Sequence, residues 1–349
     1  MSTPSHCAVL DRCGGCPVGC DAPATRTERL SSAVQTALRR PPDSVHLSAH
    51  TVGWRHRLTL RPAADGRLGL SPPRSHDVLP LDDCPVAHPL IRAALASMPP
   101  LAGPSEVELR TDGRRVVCVI RSRSAHGRKR KGRAPSHKAV AAIPEDTVAA
   151  VVVDGKRVRG EAALELPVSG HLLRASPGSF FQVHLGMNQQ VLDWLAPRVA
   201  GLSPVHLLDL YAGIGNLGLT LAPETPGRTL IESSRSAVED ARTNAVRLGR
   251  AADIRKADAH RFQAGDAFFD VAVLDPPRRG AGKVVEQLAL TRPRAIFYVA
   301  CDPRALARDL TLLERSGYRA HEVAAFEMFP HSHHLETVAV VTPGGRPLA

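Results

Sequence analysis

"VHLLDLYAGIGNLGL", residues 205–219, is the stretch whose reading decides the fold. An apolar run with strand character ends in a turn whose Gly213, Gly215 and Gly218 are spaced G-x-G-x-x-G. Such a turn lets the backbone come close to a ligand at the start of a helix. The spacing alone fits a nicotinamide dinucleotide as well as S-adenosylmethionine, and Glu232, at the end of the next apolar run, could hold a ribose hydroxyl in either case. Asp209, just before the turn, separates the two. A carboxylate there suits a cofactor with a cationic sulfonium and ammonium, and repels a pyrophosphate.

Outward from this turn, short strand-like runs alternate with helical stretches, the pattern of an α/β sheet wound by crossover helices. "VHLLDLYA", "RTLIES", "DIRKAD", "FDVAVLDPP" and "RAIFYVAC" read as five strands, with helices expected around 216–222, 236–248, 283–290 and 303–316. "YRAHEVAAFEMF" and "ETVAVVTP" have no long helix between them and read as an antiparallel closing pair. Before residue 169 the alternating runs "HRLTLRPA", "VELRTDG", "VVCVIRS" and "AVVVDG" predict a small β-rich domain. The expected division is therefore 1–168 and 169–349.

Three further sites carry chemistry. "LDPPRRG" puts Asp275 and a rigid Pro276-Pro277 step after the fourth strand, at the carboxyl edge where open α/β sheets bind ligands. Cys301 ends the fifth strand at the same edge. Asp302 is a candidate N-cap and Pro303 a first helical residue, so the thiol lies beside a helix N-terminus, which with Arg304 or Arg308 favours thiolate. "FEMFPHSHHLETVAVV" offers His331, His333 and His334, for which no further metal-ligand partner can be named, and Glu336, a candidate general base.

The 349 residues, 43% of them hydrophobic, supply material for two ordinary cores, which excludes global disorder. No apolar stretch is long enough to span a bilayer and the N-terminus lacks the pattern of a signal peptide, so a cytoplasmic protein is expected. Seven cysteines in such a chain point to metal binding or catalysis rather than disulfides. The net charge of +11 favours a polyanionic partner, and eight Lys or Arg without an acid crowd into Arg121–Lys138. That run has no aromatics, which argues for phosphate contact rather than base stacking.

"SFFQVH" (179–184), "DLYAGIGN", "DPPRRG", "YVACDPRALARDL" and "MFPHSHHLE" occur in the order and approximate spacing of the RNA (uracil-5-)-methyltransferases, and the resemblance covers essentially the whole chain. It implies a Rossmann-like class I methyltransferase domain: a doubly wound, mostly parallel sheet with antiparallel C-terminal strands, preceded by the β-rich domain. It further implies that Gln182, Tyr211, Gly213, Asn216, Glu232 and Asp275 line the S-adenosylmethionine and base pocket, with Cys301 as nucleophile and Glu336 as base. His184 departs from the pattern, since related enzymes often have Asn after the Phe-Gln pair; this bears only on local packing.

"HCAVLDRCGGCPVGC" with the distant Cys84 is similar to the iron–sulfur subset of this family, which implies a [4Fe-4S] cluster on Cys7, Cys13, Cys16 and Cys84. Cys20 is a rival fourth ligand and zinc a rival metal. Many iron–sulfur relatives carry an amino-terminal barrel of the TRAM type, which is expected to be missing here, the basic run taking over phosphate contacts. The implied function is C5 methylation of a uridine in 23S ribosomal RNA by a monomer, with transfer RNA as runner-up substrate. A nicotinamide-dependent oxidoreductase and a catalytically silent RNA-binding module are the readings from other classes. Asp209, "DPPRRG" and the Cys301/Glu336 pair argue against both.

Overall fold

The computed structural model describes residues 7–348 apart from 20, 73, 74, 76, 123–132, 266 and 267. Cys20 and most of the basic run therefore lie outside the described residues.

The chain begins with a short helix α1 (Leu10–Cys13), a long helix α2 (Pro23–Leu38) and a strand β1 (Ser44–His46). Pro23 occupies the first turn of α2, where its fixed φ suits the helix and its missing N–H is not needed. No side chain caps that helix, so packing holds it: Leu30 and Val34 are buried in one core with Leu306, Leu310 and Leu313.

A seven-stranded sheet follows, made of β2 (Arg57–Pro62), β3 (Leu68–Leu70), β4 (Leu79–Pro80), β5 (Glu106–Thr111), β6 (Val116–Arg121), β7 (Ala150–Val153) and β8 (Lys156–Arg159). Its order is β4-β3-β2-β5-β6-β7-β8, antiparallel except for β6 with β7. The period-2 alternation places Val107 and Leu109 of β5 in a core with Ile91 and Leu95 of helix α3 (Pro89–Ser97). The intervening Glu106, Glu108 and Arg110 are buried too, on the opposite face. Helix α4 (His137–Ala141) completes this part, and the hairpin β9 (Leu164–Val168) with β10 (His171–Ala175) leads out of it.

The second sheet contains β11 (His206–Leu210), β12 (Gly227–Glu232), β13 (Asp253–Lys256), β14 (Val271–Leu274), β15 (Ala295–Ala300), β16 (Tyr318–Phe326) and β17 (Glu336–Pro343). Its order is β1-β16-β17-β15-β14-β11-β12-β13, so the winding reverses between β11 and β14 and opens a crevice there. β11 to β15 are parallel, and β17 runs antiparallel between β15 and β16, as the closing pair predicts. The inner strands β14 and β15 are apolar on both faces because helices cover both: α5 (Leu185–Gly201), α6 (Arg235–Arg247), α7 (Val284–Leu290) and α8 (Pro303–Arg315). The helix expected at 216–222 is instead a run of turns, bonded Leu219 N–H to Gly215 O and Leu221 N–H to Leu217 O. Gly215 at φ 88°, Gly218 within the run and Pro223 beyond it leave too little unbroken chain for a helix.

The expected division at 168/169 falls within the β9–β10 hairpin, and residues 23–46 build onto the second sheet. β1 pairs in parallel with β16, Ser44 opposite Ala324 and His46 opposite Phe326. Two polar ties fasten the same segment to the loop between β16 and β17. Glu327, 1% exposed, accepts from Arg26 through both carboxylate oxygens, from the Ser48 N–H at 3.1 Å and from Arg29 at 3.5 Å. His331, buried at φ 66°, faces the Gly19 carbonyl with Nδ1 at 2.5 Å and the Thr51 carbonyl with Nε2 at 2.8 Å, and its own carbonyl accepts from the Val18 N–H. Among the described residues no helix is long and apolar enough to cross a membrane.

Glu327 is an anchor whose loss leaves the Ser48 N–H without its acceptor and Arg26 with only the Ser48 carbonyl. Glu327→Ala is expected to lower unfolding free energy by about 3 kcal/mol or more, read from the urea midpoint. Asp65→Asn, which breaks an exposed pair with Arg67, is expected to shift it by less than about 1 kcal/mol. Equal shifts would remove Glu327 as an anchor.

Candidate active site

The crevice at the reversal is built from strand ends. Asp209, 1% exposed on β11, accepts from the Gly218 N–H at 2.8 Å with Oδ2, while Oδ1 is buried and has no protein partner. A Cβ on Gly218 would stand 2.7 Å from Oδ2, so only glycine lets the turn close over this carboxylate. Glu232, ending β12, holds the turn from the other side, accepting from the Gly213 N–H at 3.0 Å and the Ser234 N–H at 2.6 Å. Tyr211 takes φ 65°, uncommon for a side chain this large, and its hydroxyl lies 3.2 Å from His260 Nδ1.

Asn216 pairs reciprocally with Asn188 of α5, each amide donating to the other at 2.9 Å. Gln182 donates to Asp275 Oδ2 at 3.0 Å. Gln182, Asp209, Tyr211, Gly213, Asn216 and Asp275 line one pocket together with Phe180 and Phe181. Glu232 is tied to that lining through the Gly213 N–H. Among the expected residues the sequence did not weigh Asn188, whose signal would have been its place one helical turn after His184. His184 itself caps α5, its Nδ1 accepting from the Met187 N–H at 3.2 Å, as an Asn side chain would at that place. Its ring stacks on Trp54 at 5.1 Å, and burial pushes its pKa down to about 4.

β15 and β17 bring the second group together. Ala300 pairs with Thr337, so the next residues outward on the two strands are Cys301 and Glu336. Asp302 caps α8 through the Arg304 N–H with Pro303 in the first turn, as expected. The surroundings of the thiol work against the expected thiolate. Burial, then Glu336 and Asp275, push the Cys301 thiol up to about 12, and the counteracting cation is Arg278. The helix N-terminus is outweighed because desolvation and two carboxyl groups act on the same sulfur. Arg304 and Arg308, the cations expected to help, do not figure in that balance; Arg278 was legible only as a charge in "DPPRRG".

The carboxyl groups shift in the same sense. Glu336, 3% exposed with Oε2 lacking a protein partner, is held well above the carboxylate range by burial and by Asp275. Burial raises Asp275 to about 7 against the pull of Gln182. Asp209 is raised by burial, with Asp275 and Glu232 adding to it. Asp209, Glu336 and the Cys301 thiol are thus linked electrostatically through Asp275, and the orphaned carboxylate oxygen of Asp209 suits a cationic ligand.

At the amino terminus Cys7, Cys13, Cys16 and Cys84 line one cavity of about 260 Å³ with Arg55. Burial and the thiols of Cys84, Cys13 and Cys7 push Cys16 up to about 12. Among the described residues no three His, Cys, Asp or Glu side chains are gathered around a single ion position.

The expected pH behaviour of Cys301 follows from its surroundings. Because the thiolate is the reactive form and its pKa is raised, alkylation of residue 301 by iodoacetamide, followed by mass spectrometry, should quicken about tenfold per pH unit from about pH 7 to about pH 10. A plateau near the ordinary value of about 8.5 would contradict the burial and the acids.

Known proteins agree with this architecture. The family model described as tRNA (Uracil-5-)-methyltransferase matches residues 254–342, and that of the methyltransferase small domain matches 184–293. An uncharacterized RNA methyltransferase of Streptomyces avermitilis is 32% identical over 100% of this chain and 84% of its own length. The 23S rRNA (uracil(1939)-C(5))-methyltransferase RlmD of Chromohalobacter salexigens is 31% identical over 97% of this chain and 77% of its own. The solved tRNA (uracil-54, C5)-methyltransferase of Pyrococcus abyssi, in complex with S-adenosyl-L-homocysteine, superposes with a TM-score of 0.75 at 22% identity, covering 94% and 86% of the two chains. The fold is thus that of a Rossmann-like class I methyltransferase, and the chain belongs to the RNA (uracil-5-)-methyltransferase family.

Proposed function

We propose that the enzyme methylates C5 of a uridine in 23S ribosomal RNA, with S-adenosylmethionine as donor in the Asp209–Asn216 pocket, Cys301 as nucleophile and Glu336 as base. The observation that carries the assignment is the convergence of Cys301, Glu336 and Asp275 at one sheet edge beside that pocket. Bound S-adenosylmethionine supplies an electrophilic methyl group on a sulfonium, a cation that the unpartnered Asp209 Oδ1 and the acids around it suit. Support for ribosomal rather than transfer RNA comes from the RlmD relatives. Mass mapping of 5-methyluridine in both RNAs, with and without the gene, decides between them.

C5 of uracil is too poor a nucleophile to take a methyl group unaided. Addition of the Cys301 thiolate to C6 makes C5 electron-rich. The thiol first gives up its proton, and Asp275, held at about 7, is a neighbouring acceptor. C5 then takes the methyl group as its bond to the sulfonium sulfur breaks, leaving S-adenosylhomocysteine; Glu336 takes the C5 proton and the Cys301–C6 bond breaks, releasing 5-methyluridine. For this step Glu336 has to be in its ionised form, which Arg278 favours against burial and Asp275. The target base leaves its stack to reach the sheet edge, at about a few kcal/mol, less from a loop or bulge.

This division of labour sets an outcome for two variants. Cys301→Ala is expected to transfer no methyl group and to form no covalent complex, whereas Glu336→Gln is expected to accumulate a denaturant-resistant protein–RNA adduct that already carries the methyl group. Mass spectrometry of the digested adduct locates the bond. Linkage to another residue, or wild-type turnover in Glu336→Gln, would overturn the roles.

The same proposal assigns a [4Fe-4S] cluster to Cys7, Cys13, Cys16 and Cys84. Four thiols around 260 Å³ fit a cluster, in which each thiolate holds its own iron, better than one zinc ion that needs all sulfurs about 2.3 Å away. Methyl transfer to uracil needs no electron, so the cluster's part is to hold loops. Phosphate contact by residues 121–138 would show in the salt dependence of RNA binding. Protein purified without oxygen should hold about four irons per chain. Cys84→Ser should lose them and Cys20→Ser keep them; stoichiometric zinc would defeat the cluster, and the reverse pattern would move the fourth ligand to Cys20.

A further inference from the structure

We infer that Arg110 is a positioning residue for the pocket, holding from the seven-stranded sheet the loop that presents Phe181 and Gln182. The inference rests on the proposed pocket only in taking S-adenosylmethionine as its ligand. Arg110 is 1% exposed on β5, and its two terminal nitrogens reach the loop before Gln182. Nη1 donates to the carbonyls of Ser176 at 3.1 Å and Pro177 at 2.6 Å, and Nη2 to that of Ser179 at 3.0 Å. The guanidinium carbon lies 4.8 Å from the centre of the Phe181 ring. Glu108 lies 3.6 Å from Nη1 and Asp240 also acts on the charge, but the hydrogen bonds of this buried cation go to backbone carbonyls of one loop.

Asp240 of α6 takes the donors of the same loop. Fully buried, it accepts from the Ser176 N–H at 2.7 Å, the Ser176 hydroxyl at 2.8 Å and the Ser179 hydroxyl at 2.6 Å. Gly178 lies so close to α6 that a Cβ would come 2.8 Å from Ser236 Oγ. Residues 176–179 are thus gripped from the seven-stranded sheet and from α6, by a cation on their acceptors and an anion on their donors. Phe180, Phe181 and Gln182 follow directly, all in the pocket lining, and Gln182 ends the relay on Asp275. Burying two full charges is expensive, and a loop with one permitted position is what such burial can provide. Arg is required rather than any cation, because a planar fork spans several carbonyls and stacks on a ring, while an ammonium is a single point.

The test is a double-mutant cycle on S-adenosylmethionine affinity by calorimetry, with Arg110→Lys and Gln182→Ala. Arg110→Lys alone is expected to weaken binding about tenfold, and in the Gln182→Ala background by less than about threefold, because coupled residues do not add. With S-adenosylmethionine saturating and ribosomal RNA as substrate, kcat should fall about ten- to a hundredfold, as for a displacement of the order of an ångström, while KM for RNA stays within about twofold. Additive effects, or wild-type affinity in folded Arg110→Lys, would overturn the inference. Should Arg110→Lys not fold, Asp240→Asn releases the loop from its other side and must show the same non-additivity. A wild-type chain that binds S-adenosylmethionine but methylates no RNA refutes the proposed function and leaves this cycle intact.

Discussion

The pairing of Ala300 with Thr337 across β15 and β17 brings Cys301 beside Glu336, the pair to which the proposed chemistry is assigned. Strand ends deliver side chains by register alone, and a slip of one residue would turn Cys301 and Glu336 to different faces. What protects the register is burial on both sides: every residue of β15 and all of β17 but its last are buried, with β16 closing the far edge. The antiparallel insertion of β17 therefore brings a residue near the end of the chain beside a thiol on the fifth parallel strand. A purely parallel sheet would not place these two sequence segments together so directly.

Electrostatics then gives the crevice its character. Cys301, Asp275 and Glu336 each oppose the ionisation of another, and Arg278 is the cation that works against them. A resting thiol in such surroundings is protected from stray electrophiles, because only the thiolate reacts. Activation is thus left to the arrival of ligands that change the local charge. The Gly218 approach to Asp209 and the Gln182 bond to Asp275 keep the acids in place without neutralising them.

Much of this was legible because it is local. The five parallel strands, the Gly turn, the cap and proline that start α8, and the antiparallel closing pair all have short-range signals, and each lies within a few residues of its expected place. What depended on distant partners was not legible. The fate of 216–222 turned on glycines serving Asp209 rather than a helix. β1 is three residues long, too short for periodicity to show, and only its pairing with β16 gives it meaning. The direction of the Cys301 shift needed the burial and the two acids that the fold gathers from other strands. Arg110 reads on paper as an unremarkable charge in an alternating strand; its meaning lies in carbonyls 66 to 69 residues away.

The ties from Arg26 to Glu327 and from Gly19 and Thr51 to His331 also have a consequence for how the chain is made. Their partners lie 280 to 312 residues apart, so the ties at Gly19, Arg26 and Thr51 cannot form until the last strands have left the ribosome. At about 5–20 residues per second, synthesis imposes a wait on the order of 15 to 60 s. Throughout that interval the amino-terminal cysteines remain on an unfinished surface, open to whatever oxidises thiols. The two ends of the polypeptide thus finish folding together, and the cysteine segment is among the last parts of the molecule to be sealed rather than the first.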